Sequence, residues 1–363
     1  NFEIESARGS AYYRRYSTPP QIGDHPLIPP LETEQLRVLY LPIYEPGSYY
    51  PVQKQYKRGL RDAFARIGRV WEVDYIHASR RGEFDLVELV DQWQPDLLFL
   101  QLHSTEEIQA ETLAQARAAN PDMMVVNWNG DVYARHLTAE GMIDVLKLCD
   151  LQCCVNASVL SRYAAQGIHA VYWQCGWEPV DETALPDVPD YDVLFTGNCY
   201  SEQRKVFEVF LESLTDLRVG IYGAGWQRGN GNSTYNFPLS RALYQQSKLI
   251  LGDNQWPEDY AFVSNRVFDT LAAGGGILLH QQVPGMTEYT GITPDEHFVE
   301  WVTTDDLREK IAYWLHPKRD RERKAMAARA RAFMEAEHSF DARLRQLLFE
   351  ILPTVEMKVG VGE

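Results

Sequence analysis

Residues 264–280 read SNRVFDTLAAGGGILLH: a short helix, three glycines and an apolar strand in one run. That order is how an α/β domain brings a helix start and a bare backbone up to a phosphorylated ligand. Val267, Phe268, Leu271 and Ala272 recur at helical spacing and leave Asn265, Arg266 and Asp269 on the other face. A cation, an amide and a carboxylate then share one edge beside a glycine turn. Taken alone, the window admits two readings. One is a phosphate site; the other is an i,i+3 surface ion pair, Arg266 with Asp269, followed by a glycine helix stop.

The flanking sequence decides what kind of domain holds this run. Upstream lie DVLFTGN (192–198), a helix over 202–214, RVGIYG (218–223), a Gly- and Asn-rich loop over 224–236, a helix over 239–247 and KLILGDN (248–254). Downstream, after a loop to 297, come HFVEWV, a helix over 304–315 and a long helical tail to about 351. The first half has the same rhythm. LRVLYLPIY (36–44), a helix from Gln53 to Ile67, VWEVDYI, a helix near 83–93, DLLFLQL (96–102), a helix over 106–119 and MMVVNW (123–128) follow one another. A helix near 139–147, DLQCCVN, a helix over 158–166 and AVYWQC complete it. Strands alternating with helices of this length predict parallel sheets covered on both faces.

The stretch GWEPVDETALPDVPDY (176–191) is rich in acids and prolines and lacks periodicity, so it reads as the linker. The expected organisation is an arm over 1–33, a Rossmann-like acceptor domain over 34–178, a Rossmann-like donor domain over 179–335, and a C-terminal helix and tail over 336–363 that packs back on the first domain. Two such α/β domains are expected to face a central cleft.

Composition narrows the function. With 363 residues, 45% hydrophobic and 24% charged, the chain has the makeup of a soluble globular protein large enough for two cores. No apolar run reaches the roughly 18 residues of a membrane span, and the first residues lack the apolar centre of a secretory signal, so a cytoplasmic protein without membrane insertion is expected. A formal charge of −16 works against binding nucleic acid through bulk electrostatics. Arg8, Arg14 and Arg15 in the arm leave room for local phosphate contacts. The five cysteines have no zinc-type spacing and read as reduced thiols.

KLILGDN with SNRVFDTLAAGGGILLH, WVTTDDLREKIAYWL (301–315) and HSFDARLRQLL (338–348) together resemble the GT-B glycosyltransferases, most closely their spore-maturation-protein-like (CgeB-type) branch. The likeness is strongest over 192–350; in the first half it rests on organisation, with NWNGD (127–131) and CCVNASVLSRYAAQG. The resemblance implies transfer of a hexosyl or pentosyl group from a nucleotide-diphosphate donor, a UDP-sugar in the first instance, with retention of configuration. It implies no cofactor and no metal. Asp190-Tyr191-Asp192 has the pattern of a metal clamp but leads straight into a strand, so it reads as strand-leading acids.

The resemblance also places residues. Counting back five from Gly274 puts Asp269 where related retaining enzymes bind the ribose; eight residues earlier, where those enzymes carry a second Glu, stands Ala261. For the diphosphate, the helix start at Ser264–Arg266 offers backbone N–H groups, with Asn265, Arg266, Gly274 and Gly275 in the donor-binding set. Gly197 allows close backbone approach, and Arg204 and Lys205 follow it where GT-B enzymes commonly carry the phosphate-binding cation. Arg204 is the expected leaving-group stabiliser, since developing charge needs a fixed cation or dipole. YGAGW (222–226) resembles the base loop, through Gly223, Gly225 and Trp226; a tight turn is the other reading. His103 and Asp131, each just past a strand, are candidates to contact the acceptor or to serve as base. Tyr49, Tyr50, Trp128, Trp173 and Trp177 either stack on sugars or pack.

The acceptor stays open among polysaccharide, protein and hydroxymethylated viral DNA. A nucleotide-sugar epimerase of the same architecture and a non-catalytic nucleotide-sugar-binding module are the alternatives to a transferase. The oligomeric state is not legible.

Overall fold

The computed structural model describes residues 36–42, 50–80, 82–132, 141–174, 176–233 and 236–355. The expected arm, Tyr49 and Cys175 lie outside them, as does the side chain of Tyr50. Short apolar runs rich in Val, Ile, Leu and Phe form two all-parallel sheets, as the alternation of strands and helices predicts.

The first compact unit comprises the described residues up to Gln174, Asp259–Ala261, and those from Phe340 to Val355. Its elements are β1 (Leu36–Leu41), α1 (Tyr50–Ile67), β2 (Gly68–Glu72), α2 (Tyr75–Arg80), α3 (Leu86–Trp93), β3 (Leu97–Leu100), α4 (Ala110–Ala119), β4 (Met124–Asn129), α5 (Met142–Leu148), β5 (Leu151–Cys154), α6 (Leu160–Ala165) and β6 (Ala170–Tyr172). The strands lie in the order β2-β1-β3-β4-β5-β6. The expected strand VWEVDYI ends at Glu72. Tyr75 instead opens α2 and donates its buried hydroxyl to Gln101 O at 3.0 Å.

The second unit holds Gly176–Glu258 and Phe262–Ser339. It is built from β7 (Val193–Thr196), α7 (Glu202–Glu212), β8 (Val219–Tyr222), α8 (Phe237–Gln246), β9 (Leu249–Gly252), α9 (Asn265–Ala273), β10 (Ile277–Gln281), α10 (Met286–Thr290), β11 (Val299–Trp301), α11 (Thr304–Leu315) and α12 (Asp320–Glu337). The sheet order is β11-β10-β9-β7-β8. Side chains alternate across it. Val193, Phe195, Leu249, Leu251, Ile277 and Leu279 pack with Phe207 and Phe210 of α7 and Leu307 and Ile311 of α11. Leu194, Ile250 and Leu278 pack with Leu243 of α8, Phe268 and Leu271 of α9, and Met334 of α12. Each such side chain contributes roughly 1.5–3 kcal/mol on burial, so these two layers hold the sheet without help from polar groups at its ends.

The expected unbroken helical tail is interrupted. α12 stops at His338, which is buried between Phe268 and Phe333 with its Nε2 2.8 Å from Thr290 O. The chain then enters α13 (Phe340–Arg345) and a π-helical turn over Gln346–Ile351, both in the first unit. There the Trp173 indole donates to Arg343 O at 3.1 Å, and Arg66 of α1 pairs with Asp341 at 2.7 Å.

In the second sheet the direction of strand addition reverses between β7 and β9, where Val193, Leu194 and Phe195 pair with Leu249, Ile250 and Leu251. Loops leaving the carboxyl ends of two such strands splay to opposite faces, and the gap between them is where open α/β sheets bind ligands.

Candidate functional site

The loops that leave β7 and β9 carry the site. After β7 the chain runs Gly197-Asn198-Cys199-Tyr200, and Ser201 caps α7 by accepting from Arg204 N. Gly197 has φ +146, and a methyl there would lie 2.7 Å from Arg266 NH1 and 3.0 Å from Arg204 NH1. Two guanidinium groups therefore converge on a backbone position that only glycine leaves open. The β8 loop locks this turn. Gly197 N donates to Tyr222 O at 2.7 Å, Cys199 N to Ala224 O at 2.8 Å, and the Trp226 indole to Gly197 O at 2.6 Å.

Gly223, at φ +148, is required by the same contact, since its Cβ would fall 2.1 Å from Gly197 O. Gly223→Ala is expected to destabilise the protein by about 2 kcal/mol through forced separation of the two loops. A urea-unfolding midpoint equal to wild type would contradict that. Trp226 also packs edge-on against Phe195, with ring centroids 5.3 Å apart. Within the described residues the YGAGW segment thus acts as a tight turn whose indole serves the β7 loop.

Arg204 comes from the first turn of α7 and is nearly buried, its side chain 7% exposed. Its Nε and NH2 donate to Asp253 Oδ2 and Oδ1 at 2.9 and 2.8 Å, and its NH1 donates to Asn198 O at 2.6 Å. Asp253 follows β9. Burial pushes its carboxyl up, but the hydrogen bonds and charge of Arg204 outweigh that and hold it below the usual carboxylate range. Arg266, in the first turn of α9, donates from NH1 to Thr196 O and lies 5.7 Å from the Phe195 ring centroid, with Arg204 at 5.4 Å from the same ring. No carboxylate among the described residues forms an ion pair with Arg266. Burial and then the charge of Arg204 depress its pKa, with Asp253 opposing.

The helix start contributes as well. Ser264 caps α9, and its Oγ accepts from Arg266 N at 3.4 Å. A small pocket at this end is lined by Asp253, Ser264, Arg266, Thr270 and His280, with apolar walls from Leu251, Val267 and Leu278. Burial pushes the His280 imidazole down to about 4, so it faces the pocket neutral at pH 7. Two cations, one carboxylate and a helix N-terminus leave one positive charge in excess, an arrangement suited to an anion with several oxygens.

The other predicted donor residues are distributed differently. Lys205 is exposed and paired with Glu202 at 2.6 Å. Gly225, at φ +84, approaches Cys199 O. Gly274 and Gly275 lie at the far end of α9 from Ser264. Gly274 ends the helix in the left-handed region, and a methyl on Gly275 would be 2.3 Å from Gln245 Cα. Gly274 is bare against Arg331 of α12, and Gly275 against the end of α8. Asn265 sits in the first turn of α9.

Asp269 does not pair with Arg266. Its Oδ1 accepts the backbone N–H of Glu178 at 3.1 Å, and burial raises its carboxyl to about 6 against the lowering effects of that bond and of Arg241. The linker is fastened along its length to the second unit. The Trp177 indole donates to Met334 O, Arg241 stacks on Trp177 and pairs with Glu182 at 2.6 Å, and Arg331 reaches the other oxygen of Glu182 at 3.1 Å. Asp190 and Asp192 are both engaged, by Arg218 at 2.7 Å and Lys248 at 2.7 Å.

In the first unit His103 Nδ1 lies 3.6 Å from Asp131 Oδ2, with Asp131 64% exposed. The NWNGD loop positions the carboxylate: Asp131 N donates to Asn129 Oδ1 at 2.8 Å, and Gly130 lies against the Trp128 indole. The two candidates thus form one pair at the carboxyl ends of β3 and β4. Trp128 and Trp173 are buried core residues and offer no stacking face.

Residues 203–349 match a family model described as glycosyl transferase-like. No curated protein matches the chain. Among solved structures, a glycosyltransferase from Rickettsia africae ESF-5 superposes with a TM-score of 0.58 at 12% identity, covering 86% of this chain and 97% of that one. HepE of Anabaena in complex with UDP and glucose gives 0.51 at 12% identity over 86% and 99% of the two chains. Sucrose-phosphate synthase from Thermosynechococcus elongatus gives 0.50 at 12% identity over 86% and 97%. No helix among the described residues is long and apolar enough to cross a membrane. The two parallel Rossmann-like sheets are those of the GT-B glycosyltransferase structures they match, and the second half of the chain carries a glycosyl transferase-like domain.

Proposed function

We propose that the protein is a GT-B glycosyltransferase of the spore-maturation-protein-like branch, which binds a UDP-sugar in its second unit and transfers a hexosyl or pentosyl group with retention of configuration. The observation that carries this reading is Arg266: a half-buried guanidinium with no carboxylate partner among the described residues, at a capped helix start, at the strand-order reversal of the sheet. A half-buried cation held beside a second cation favours a counter-charge, and a diphosphate supplies one. The UDP bound to Anabaena HepE, which shares the fold, supports the choice of nucleotide.

When the glycosidic bond breaks, negative charge gathers on the diphosphate. The charges of Arg266 and Arg204 and the N–H groups at the start of α9 would neutralise it without a divalent ion. Asp269 gives one oxygen to the linker and offers the other to the ribose. His103 with Asp131 would meet the acceptor hydroxyl. Location in the cytoplasm belongs to the same reading.

The test is a panel of nucleotide sugars in which release of nucleoside diphosphate is followed, with polysaccharide, protein and hydroxymethylated DNA as acceptors. UDP release that depends on one acceptor, with product configuration read by NMR, is expected. Conversion of donor alone into its epimer, or no release from any donor, would overturn the reading.

A further inference from the structure

We propose that Asp253 is a positioning residue: it aims Arg204 at the donor diphosphate and allows Arg266 to occupy the same confined space. The inference rests on the donor-binding reading above. Asp253 stands immediately after Gly252, which is bare because the His280 ring fills its side-chain position, 2.2 Å from where a Cβ would be. The next side chain, Asp253, reaches Arg204.

Both carboxylate oxygens of Asp253 are engaged, one by Nε and one by NH2 of Arg204, with side-chain exposures of 3% and 7%. Two parallel bonds fix the plane of the guanidinium as well as its position. Asn198 O takes a third N–H, the Gln255 amide oxygen lies 2.7 and 2.8 Å from NH2 and NH1, and NH1 lies at Gly197. A buried ion pair of this kind adds little net stability over apolar side chains of similar volume. Its return is orientation.

The charge count points the same way. Arg204 and Arg266 both reach Gly197, and like charges so close repel strongly away from water. Asp253 is the one carboxylate among the described residues hydrogen-bonded to either of them. It lines the pocket with Arg266, yet it does not repel an entering phosphate, because Arg204 already neutralises it.

The experiment compares UDP with uridine as probes on the full chain. Asp253→Asn keeps the shape but turns an amide N–H₂ toward a guanidinium. UDP affinity is expected to fall about tenfold or more while uridine affinity stays within about twofold, because only the phosphate contacts depend on Arg204. In an Arg204→Gln background the same change is expected to cost less than about twofold in UDP affinity. That double variant, which removes both charges together, is also the form expected to stay folded if Asp253→Asn alone does not. Equal loss of UDP and uridine, or a full effect of Asp253→Asn without Arg204, would overturn the proposal. A wild-type chain that binds no nucleoside diphosphate would instead overturn the donor-binding reading.

Discussion

Arg266→Met is expected to abolish donor binding while leaving the protein as stable as wild type or more stable. Truncating one partner of a desolvated, hydrogen-bonded charge pair costs about 2–5 kcal/mol of binding. The stability side has the opposite sign. A half-buried guanidinium with no carboxylate partner carries a desolvation cost, and methionine removes the charge while keeping most of the stem. Against this stands the loss of one hydrogen bond to Thr196 O, worth about 1 kcal/mol. Calorimetric titration with UDP, beside thermal unfolding, reads both effects. A variant that melts several degrees lower and still binds UDP would make Arg266 a residue of the fold.

The pH dependence of stability is expected to hide two opposed contributions that single variants expose. Asp269 titrates near 3.8 when unfolded and at about 6 when folded, so its contribution is present below 3.8 and lost as pH rises through about 6. His280 titrates near 6.5 unfolded and at about 4 folded, so its contribution is present above 6.5 and lost as pH falls through about 4. Each shift corresponds to about 3 kcal/mol. Between pH 4 and 6 the two nearly cancel.

His280→Gln should therefore show stability falling across that window as pH rises, and Asp269→Asn should show it rising. At pH 7 Asp269→Asn is expected to stabilise the chain by about 3 kcal/mol, because the amide oxygen still accepts from Glu178 N without a buried charge. Urea unfolding at pH 4.5, 5.5 and 7 gives the answer. Parallel profiles for wild type and both variants would contradict these assignments.

What the sequence made legible was local. The unbroken apolar runs in DVLFTGN and KLILGDN come from burial of both strand faces, and the helical spacing of Val267, Phe268, Leu271 and Ala272 from burial of one helix face. The Ser264 cap and the Gly274 stop are likewise near-neighbour effects. What escaped was long-range. Nothing within the helix shows that Arg266 turns to Thr196, 70 residues away, while Asp269 turns to Glu178, 91 residues away. The i,i+3 pair, one of the two readings of the window, therefore does not form.

The triple glycine shared the run with the phosphate-facing helix start, yet nine helical residues separate its bare backbone from Ser264. Its close neighbours are Arg331 and the end of α8. Asp253 was visible as part of KLILGDN, but its role depends on strand order: β7 and β9 are neighbours only because β8 lies outside them. No spacing rule encodes that reversal. His103 and Asp131, in contrast, were each identified by a position just past a strand, and adjacency of β3 and β4 brings them together.

The central claim is that the gap between β7 and β9 is a nucleotide-diphosphate site. Hydrogen–deuterium exchange of the wild-type chain with and without saturating UDP tests it most directly. The predicted result is protection concentrated in the backbone from Gly197 to Arg204 and from Asp253 to Val267, with no change at the triple glycine. Protection elsewhere, or none at a UDP concentration that saturates any binding signal, would contradict it.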